Sequence, residues 1–331
     1  MTIAPGKWPD FSPLIAFRTM KDFKNHALRF SAPLLFALFG VVCAAFAATF
    51  APGREIARFP ASLNEISGMG QSRSNPDIFW VHNDSGDMPR VYAVNRSGKL
   101  VGTYRLEGAE AEDWEDMAIG PAPSGRSYLY LADIGDNSAQ RKSIRVYRVL
   151  EPQVQTNQTP VSQTLTGVST FEFVYPDGPR DAEGFMVDPL NGDFYVVTKR
   201  ETQGNRLYRS VKPGTVEVNT LALAATFSFF GVTGADISPN GLQVLIRRYS
   251  TTTNLLTPAA TAATYWSRPN ATASLVDLLK TPGQPVALAV EPQGEAIAFS
   301  ADNKGFYTTT ERGGGNGAPL APLTFYAQRT N

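Results

Sequence analysis

Short apolar runs alternate with turn residues along this chain, and the runs come in pairs. The first member of each pair opens on a polar residue, then a small or acidic one, then turns apolar. These openings are Ser67-Gly68-Met69, Glu115-Asp116-Met117, Glu183-Gly184-Phe185, Thr233-Gly234-Ala235 and Glu295-Ala296-Ile297. A turn and a second apolar run follow each: Phe79-Trp80-Val81-His82, Tyr128 to Leu131, Phe194 to Val197, Val244-Leu245-Ile246 and Phe306-Tyr307. Aromatic and β-branched residues bounded by Gly and Pro read as strands.

The openings at 67, 115, 183, 233 and 295 are separated by 48, 68, 50 and 62 residues. A strand–turn–strand unit repeating at about 40–50 residues predicts propeller blades of about four strands. Third and fourth strands are expected at Val91 to Val94 and Val101 to Leu106 in the first unit, and at Ile144 to Val149 and Thr170 to Tyr175 in the second. Two tracts, Gln153 to Thr166 and Thr251 to Thr264, read as loop insertions. The last unit has few strands left after Phe306, and Glu55 to Phe59 can supply its missing outer strand, which closes the ring and removes sheet edges. The expected fold is therefore all-β, a single β-propeller of five blades closed by an N-terminal strand. A sixth, degenerate blade within an insertion and a pair of β-sandwich domains are the alternatives.

The first 47 residues differ from the rest. Lys21, Lys24 and Arg29 precede an apolar run, Ala32 to Ala48, that ends in small residues. That order is expected of a secretory signal peptide cleaved near Ala47 or Ala48, with the propeller domain over 48–331. An uncleaved membrane anchor is the alternative, because the run nearly spans a bilayer. Export places the domain in the periplasm or outside the cell. Cys43 is the sole cysteine, so the exported domain has no disulfide. Without residues 1–47 the chain carries 25 Lys and Arg against 28 Asp and Glu. No basic patch points to nucleic acid. A monomer is expected.

In a propeller the first strand of each blade lines the central channel, so Ser67, Glu115, Glu183, Thr233 and Glu295 converge at one mouth. Glu65, Asp113 and Asp181 stand two residues earlier, on the same strand face. Carboxylates that close together either keep protons or share a cation. With His82 the one histidine after residue 47 and no cysteine, an oxygen-only set suits calcium, and magnesium less well. Carboxylates that simply pin turns between blades are the alternative.

The order Ser, Glu, Glu, Thr, Glu at successive blade starts resembles the calcium-activated nucleotidase (apyrase) family. That resemblance implies a five-bladed propeller with one axial calcium and assigns its ligands to Ser67, Glu115, Glu183, Thr233 and Glu295. The motifs Asp113-Trp114-Glu115-Asp116, Asp133-Ile134-Gly135-Asp136-Asn137 and Tyr175-Pro176-Asp177-Gly178 resemble, more loosely, gluconolactonase-like and phytase-like propellers, which also use calcium.

The second strands return to the same mouth and end on His82-Asn83-Asp84, Asp133, Thr198-Lys199, Arg247-Arg248 and Thr310-Glu311-Arg312. Carboxylates, a metal and cations together suit a small anionic or ester ligand such as a phosphate ester, nucleotide or lactone. For a calcium-dependent hydrolase, His82 or Asp133 is the candidate base and Arg247 with Lys199 the anion clamp. A non-catalytic binding propeller with calcium as an axial staple is the second reading. Asn83 to Asp87 has calcium-loop spacing but also the make-up of an Asx-rich turn. Gly313-Gly314-Gly315-Asn316-Gly317 lacks the Lys of a P-loop and reads as a rim loop.

Overall fold

The structure, a computed structural model, describes residues 49–249, 261–291, 293–312 and 318–329. The expected leader with Cys43, most of the Thr/Ala tract and the Gly313–Gly317 run lie outside the described residues. Among the described residues, no helix is long and apolar enough to cross a membrane.

Five antiparallel sheets follow one another along the chain. The first holds β2 (Ile66–Gln71), β3 (Ile78–Asn83), β4 (Arg90–Asn95) and β5 (Leu100–Leu106). The second holds β6 (Trp114–Pro121), β7 (Ser127–Asp133), β8 (Ile144–Leu150) and β10 (Ser169–Val174). The third is β11 (Ala182–Val187), β12 (Phe194–Thr198), β13 (Arg206–Ser210) and β15 (Ala222–Thr226). The fourth is β16 (Val232–Ile237), β17 (Gln243–Tyr249), β18 (Thr261–Ser267) and β19 (Gln284–Ala287). In the fifth, β20 (Gln293–Phe299), β21 (Gly305–Glu311) and β22 (Pro322–Ala327) are completed by β1 (Arg54–Arg58), which pairs antiparallel with β22. This is the five-bladed propeller with an N-terminal closing strand, and every predicted third and fourth strand is present.

The apolar runs are unbroken because each blade is buried on both faces. Along β3, Ile78 and Trp80 face the second blade while Phe79 and Val81 face the fifth. Along β12, Phe194 and Val196 face the second blade while Tyr195 and Val197 face the fourth. Strand alternation thus builds five cores, one between each pair of neighbouring blades.

The tracts expected to be loops do more than connect. Within Gln153–Thr166, β9 (Val161–Leu165) pairs in parallel with β5, adding a fifth strand to the first blade. The segment between β13 and β15 does the same for the second blade through β14 (Asn219–Thr220), parallel to β10. The segment between β18 and β19 carries α1 (Leu275–Leu279), whose Leu275 and Leu279 pack into the core between blades three and four, beside β15. Thr49 and Phe50, just before β1, lie against the fourth blade: Thr49 Oγ1 donates to Gln284 Oε1 at 2.9 Å and Phe50 packs edge-on to Tyr265. In four positions around the ring, the chain leading into a blade's outer strand covers the outer edge of the preceding blade. Of the Thr251–Thr264 tract, the described part is no loop, because Thr261 to Thr264 open β18.

Candidate functional site

The innermost strands are β2, β6, β11, β16 and β20, and all five share one irregularity. Pairing with the second strand breaks between Ile66 and Gly68, Trp114 and Asp116, Ala182 and Gly184, Val232 and Gly234, and Gly294 and Ile297. The residues inside these breaks are Ser67, Glu115, Glu183 and Thr233, and in the fifth blade Glu295 with Ala296. Each is the extra residue of a β-bulge, a device that leaves one residue unpaired and re-aims its side chain. All six are nearly inaccessible, between 0% and 5% exposed, although three are acidic.

The bulges bring two acidic groups together. Oxygens of Asp84, Asp113 and Glu115 lie within 4.8 Å of one another, and so do oxygens of Glu115, Asp181 and Glu183. Glu115 belongs to both. Asp113 and Asp181 precede bulge residues by two, so the spacing in the sequence signals them. Glu65, at the same offset in the first blade, is exposed and stands outside both groups. Asp84 enters from the Asn83–Asp87 segment. The rest of that segment is a pinned turn, with Asp87 Oδ1 accepting from Met88 N at 2.7 Å and Asp87 Oδ2 from the Tyr92 hydroxyl at 2.7 Å.

This crowding shows in the protonation equilibria. Burial, then Glu183 and Asp84, pushes Glu115 well above the ordinary carboxylate range. Burial does the same to Glu183 and outweighs the opposing pull of Lys199. Asp113 is raised to about 6 and Glu311, on the same rim, to about 8, burial leading in both. A divalent cation among these carboxylates would remove the conflict. The donors are all oxygen, the hard-ligand set that calcium takes. Glu295 Oε2 is moreover buried with no hydrogen-bond partner. The residues therefore fit a calcium ion.

The five ring positions do not contribute alike. Glu115 and Glu183 belong to the acidic groups. Glu295 stands apart, its Oε1 accepting from the Tyr249 hydroxyl at 2.6 Å. Ser67 Oγ donates to the Glu115 carbonyl, and Thr233 Oγ1 to the Gly294 carbonyl at 2.9 Å. These two hydroxyls tie blade one to two and blade four to five. Beneath the ring, buried Asp116 accepts from Phe185 N at 2.9 Å and Ala235 N at 3.0 Å, linking blades two, three and four.

Three of the four candidate catalytic residues have other duties. His82 is wholly buried, and its ring meets Trp114 edge-on with centroids 5.5 Å apart. Its Nδ1 lies 2.9 Å from the Asn83 carbonyl, which can only accept, so Nδ1 carries the proton. Nε2 lies over Gly68, where a Cβ would come within 2.1 Å of it. Burial lowers the His82 pKa, which leaves a neutral packing residue rather than a base at the mouth. Asp133 is also buried; it accepts from Asp113 N at 3.0 Å and pairs with Arg141 at 2.8 Å. It positions Asp113. Arg247 is sealed between blades four and five, ion-paired with Glu291 and donating to the Ala296 carbonyl at 2.8 Å and the Thr309 carbonyl at 2.5 Å. It is not an anion clamp.

Lys199 does face the mouth. It pairs with Glu183 and its Nζ lies 5.6 Å from the centre of the Tyr249 ring. Burial works against its charge, but Glu183 and Glu295 outweigh burial and hold its pKa above the ordinary value. Trp114 is packed in the core between blades one and two. The described residues enclose a cavity of about 1180 Å³ that runs from Glu115, Glu183, Lys199 and Glu295 to a groove at Phe229 and Trp266.

The chain matches no protein-family model and no curated protein. Among solved structures it is similar to the hydrazine synthase of Kuenenia stuttgartiensis, with 12% identity over 76% of this chain and 75% of that one, at a TM-score of 0.36. It is also similar to the WD40 repeats of RRP9, with 10% identity over 80% of each chain and a TM-score of 0.40. A chain of the mitotic checkpoint complex gives 11% identity over 94% of this chain and 99% of that one, again at 0.40. The propeller assignment itself rests on the strand order of the five sheets.

Proposed function

We propose that this protein is an exported propeller that binds calcium at the bulge ring and uses the mouth above it to hold a small anionic or ester ligand. The observation that carries this reading is the pair of acidic groups sharing Glu115. Glu115, Asp113, Asp84, Asp181 and Glu183 would hold the ion, with the hydroxyls of Ser67 and Thr233 and the carboxylate of Glu295 around them. The order of the ring, which resembles the apyrase family, supports the same reading. Export is inferred from the basic, apolar and small-residue order of the first 48 residues.

Calcium held there would supply Lewis-acid polarisation of a ligand oxygen or of a water. The chain's own part is to hold that ion, to keep Lys199 charged beside Glu183, and to shield the mouth with Tyr249. Hydrolysis and plain binding are both compatible with this arrangement. One observation favours binding with a structural ion: the Ser67 and Thr233 hydroxyls and the Asp116 carboxylate stitch blades together at the height of the ring or just below it.

Calorimetric titration of the exported domain with calcium and magnesium tests the ion site. Calcium is expected to bind more tightly than magnesium, and Glu115→Gln to weaken it about tenfold or more, because one substitution depletes both acidic groups. Equal affinity in the variant removes the site. Turnover of phosphate esters, nucleotides or lactones that chelator abolishes and calcium restores selects the hydrolase.

A further inference from the structure

The groove beside the acidic mouth has features that the cation site does not use. We propose that it is a subsite for the planar, apolar body of an oxyanion ligand, whose charged group Arg248 holds. This deepens the reading of the mouth as a ligand site and rests on it.

Arg248 is half-buried at the end of β17 and lines the cavity. Its Nε is buried with no hydrogen-bond partner, and Nη1 reaches the Tyr249 carbonyl at 3.3 Å. Among the described residues no carboxylate pairs with it. Arg141, Arg200 and Arg247 each have one, in Asp133, Asp181 and Glu291, and Arg312 on the same rim is answered by the Ala61 and Ala318 carbonyls. The segment that follows Arg248 along the chain, 250–260, has no Asp or Glu in its sequence. A half-desolvated guanidinium without a counter-charge is costly, and burial lowers its pKa. An incoming carboxylate or phosphate answers it with paired, charge-assisted hydrogen bonds.

The floor of the groove is aromatic. Phe227 and Phe229 stack with centroids 4.7 Å apart and planes 8° apart, and Trp266 lies 5.8 Å from Phe227. The Arg248 guanidinium sits 5.2 Å over Phe229, so charge and ring surface meet at one point. Leu279, Pro282 and Pro285 line the cavity as well. The shelf is held in advance: Asn205 N donates to the Phe229 carbonyl at 2.9 Å, and Phe227 N to the Asn205 carbonyl at 2.8 Å. Gly204, at φ +101°, lets the chain come that near, since a Cβ there would lie 1.9 Å from the Phe227 carbonyl oxygen. A flat ring bearing one oxyanion fits this pairing of a fixed shelf with an unanswered arginine. The oxyanion lies in the same cavity as the calcium donors.

The full exported domain is titrated with phenyl phosphate, benzoate and inorganic phosphate, following heat and tryptophan fluorescence. At least one aryl oxyanion is expected to bind about tenfold or more tightly than inorganic phosphate, and the better of the two identifies the charged group. Arg248→Gln and Phe229→Ala are each expected to weaken that binding about tenfold, and Arg248→Lys to recover part of it. Failure of both aryl compounds to bind overturns the proposal. So does equal binding of inorganic phosphate, or unchanged aryl affinity in a folded Arg248→Gln protein. Calcium titration of the same proteins separates the two readings. Retained calcium affinity in Arg248→Gln is expected, and aryl binding without any calcium uptake counts against the ion site alone.

Discussion

Arg247 and Arg248 are neighbours in sequence with opposite surroundings. Strand alternation sends the first into the core between blades and the second to the mouth. Sequence places both at the rim but does not say which side each takes, because that depends on the register of β17 within its sheet. Replacing Arg247 with Ala leaves Glu291 buried and unpaired, so a loss of about 3–5 kcal/mol is expected in denaturant unfolding. A variant as stable as the parent would show that the pair contributes nothing. Asp236 offers a pH test. Burial pushes its carboxyl up to about 7, although Phe299 N donates to it at 2.7 Å. The native state therefore holds this proton more tightly than the unfolded chain. That contribution is complete below about pH 4 and is lost as pH rises through about 7. Asp236→Asn has no such proton to lose, so its melting temperature should gain on the parent's between pH 4 and 8. A constant difference across that range would refute the assignment.

At the scale of elements, the strands were legible because runs buried on both faces are apolar throughout, as in Phe79-Trp80-Val81. The ring residues were legible as a column, since the same kind of residue opens each unit. The bulges that turn them toward the axis were not, because a bulge is a mismatch between two strands and neither sequence records it alone. Strand β9 was missed for a different reason. Its middle residues, Ser162, Gln163 and Thr164, are exposed, so it has the polarity of a loop. The Asp133–Asn137 segment shows how closely a connection can serve the site. Gly135 N donates to the Asp113 carbonyl at 3.1 Å. A Cβ at Gly135 would fall 2.3 Å from Glu115 Oε1 and 2.5 Å from the Asp113 carboxyl. Gly135→Ala should therefore displace the carboxylates while the packed sheets persist. Calcium affinity is expected to drop with little change in melting temperature, and an unchanged affinity would show that the segment has room to spare.

For the molecule as a whole, stability is shared among five cores, and ring closure depends on the pairing of β1 with β22. Deleting residues 49–58 strips the outer strand from the fifth blade and Phe50 from beside Tyr265. The bared edge of β22 is expected to cause association on size-exclusion chromatography, with a lower melting temperature. A monomer that melts like the parent would mean that the ring holds without its clasp. The same pairing has a consequence in time. Arg58 lies opposite Pro322, so β1 emerges, whether from the ribosome or from a translocation channel, 264 residues ahead of its partner. For that interval it is an unattached strand while four sheets are being made beside it. Three of its five residues, Arg54, Glu55 and Arg58, are charged. Charge on a waiting strand discourages premature pairing with a wrong edge, so the polarity of β1 serves the order of assembly as well as the finished surface.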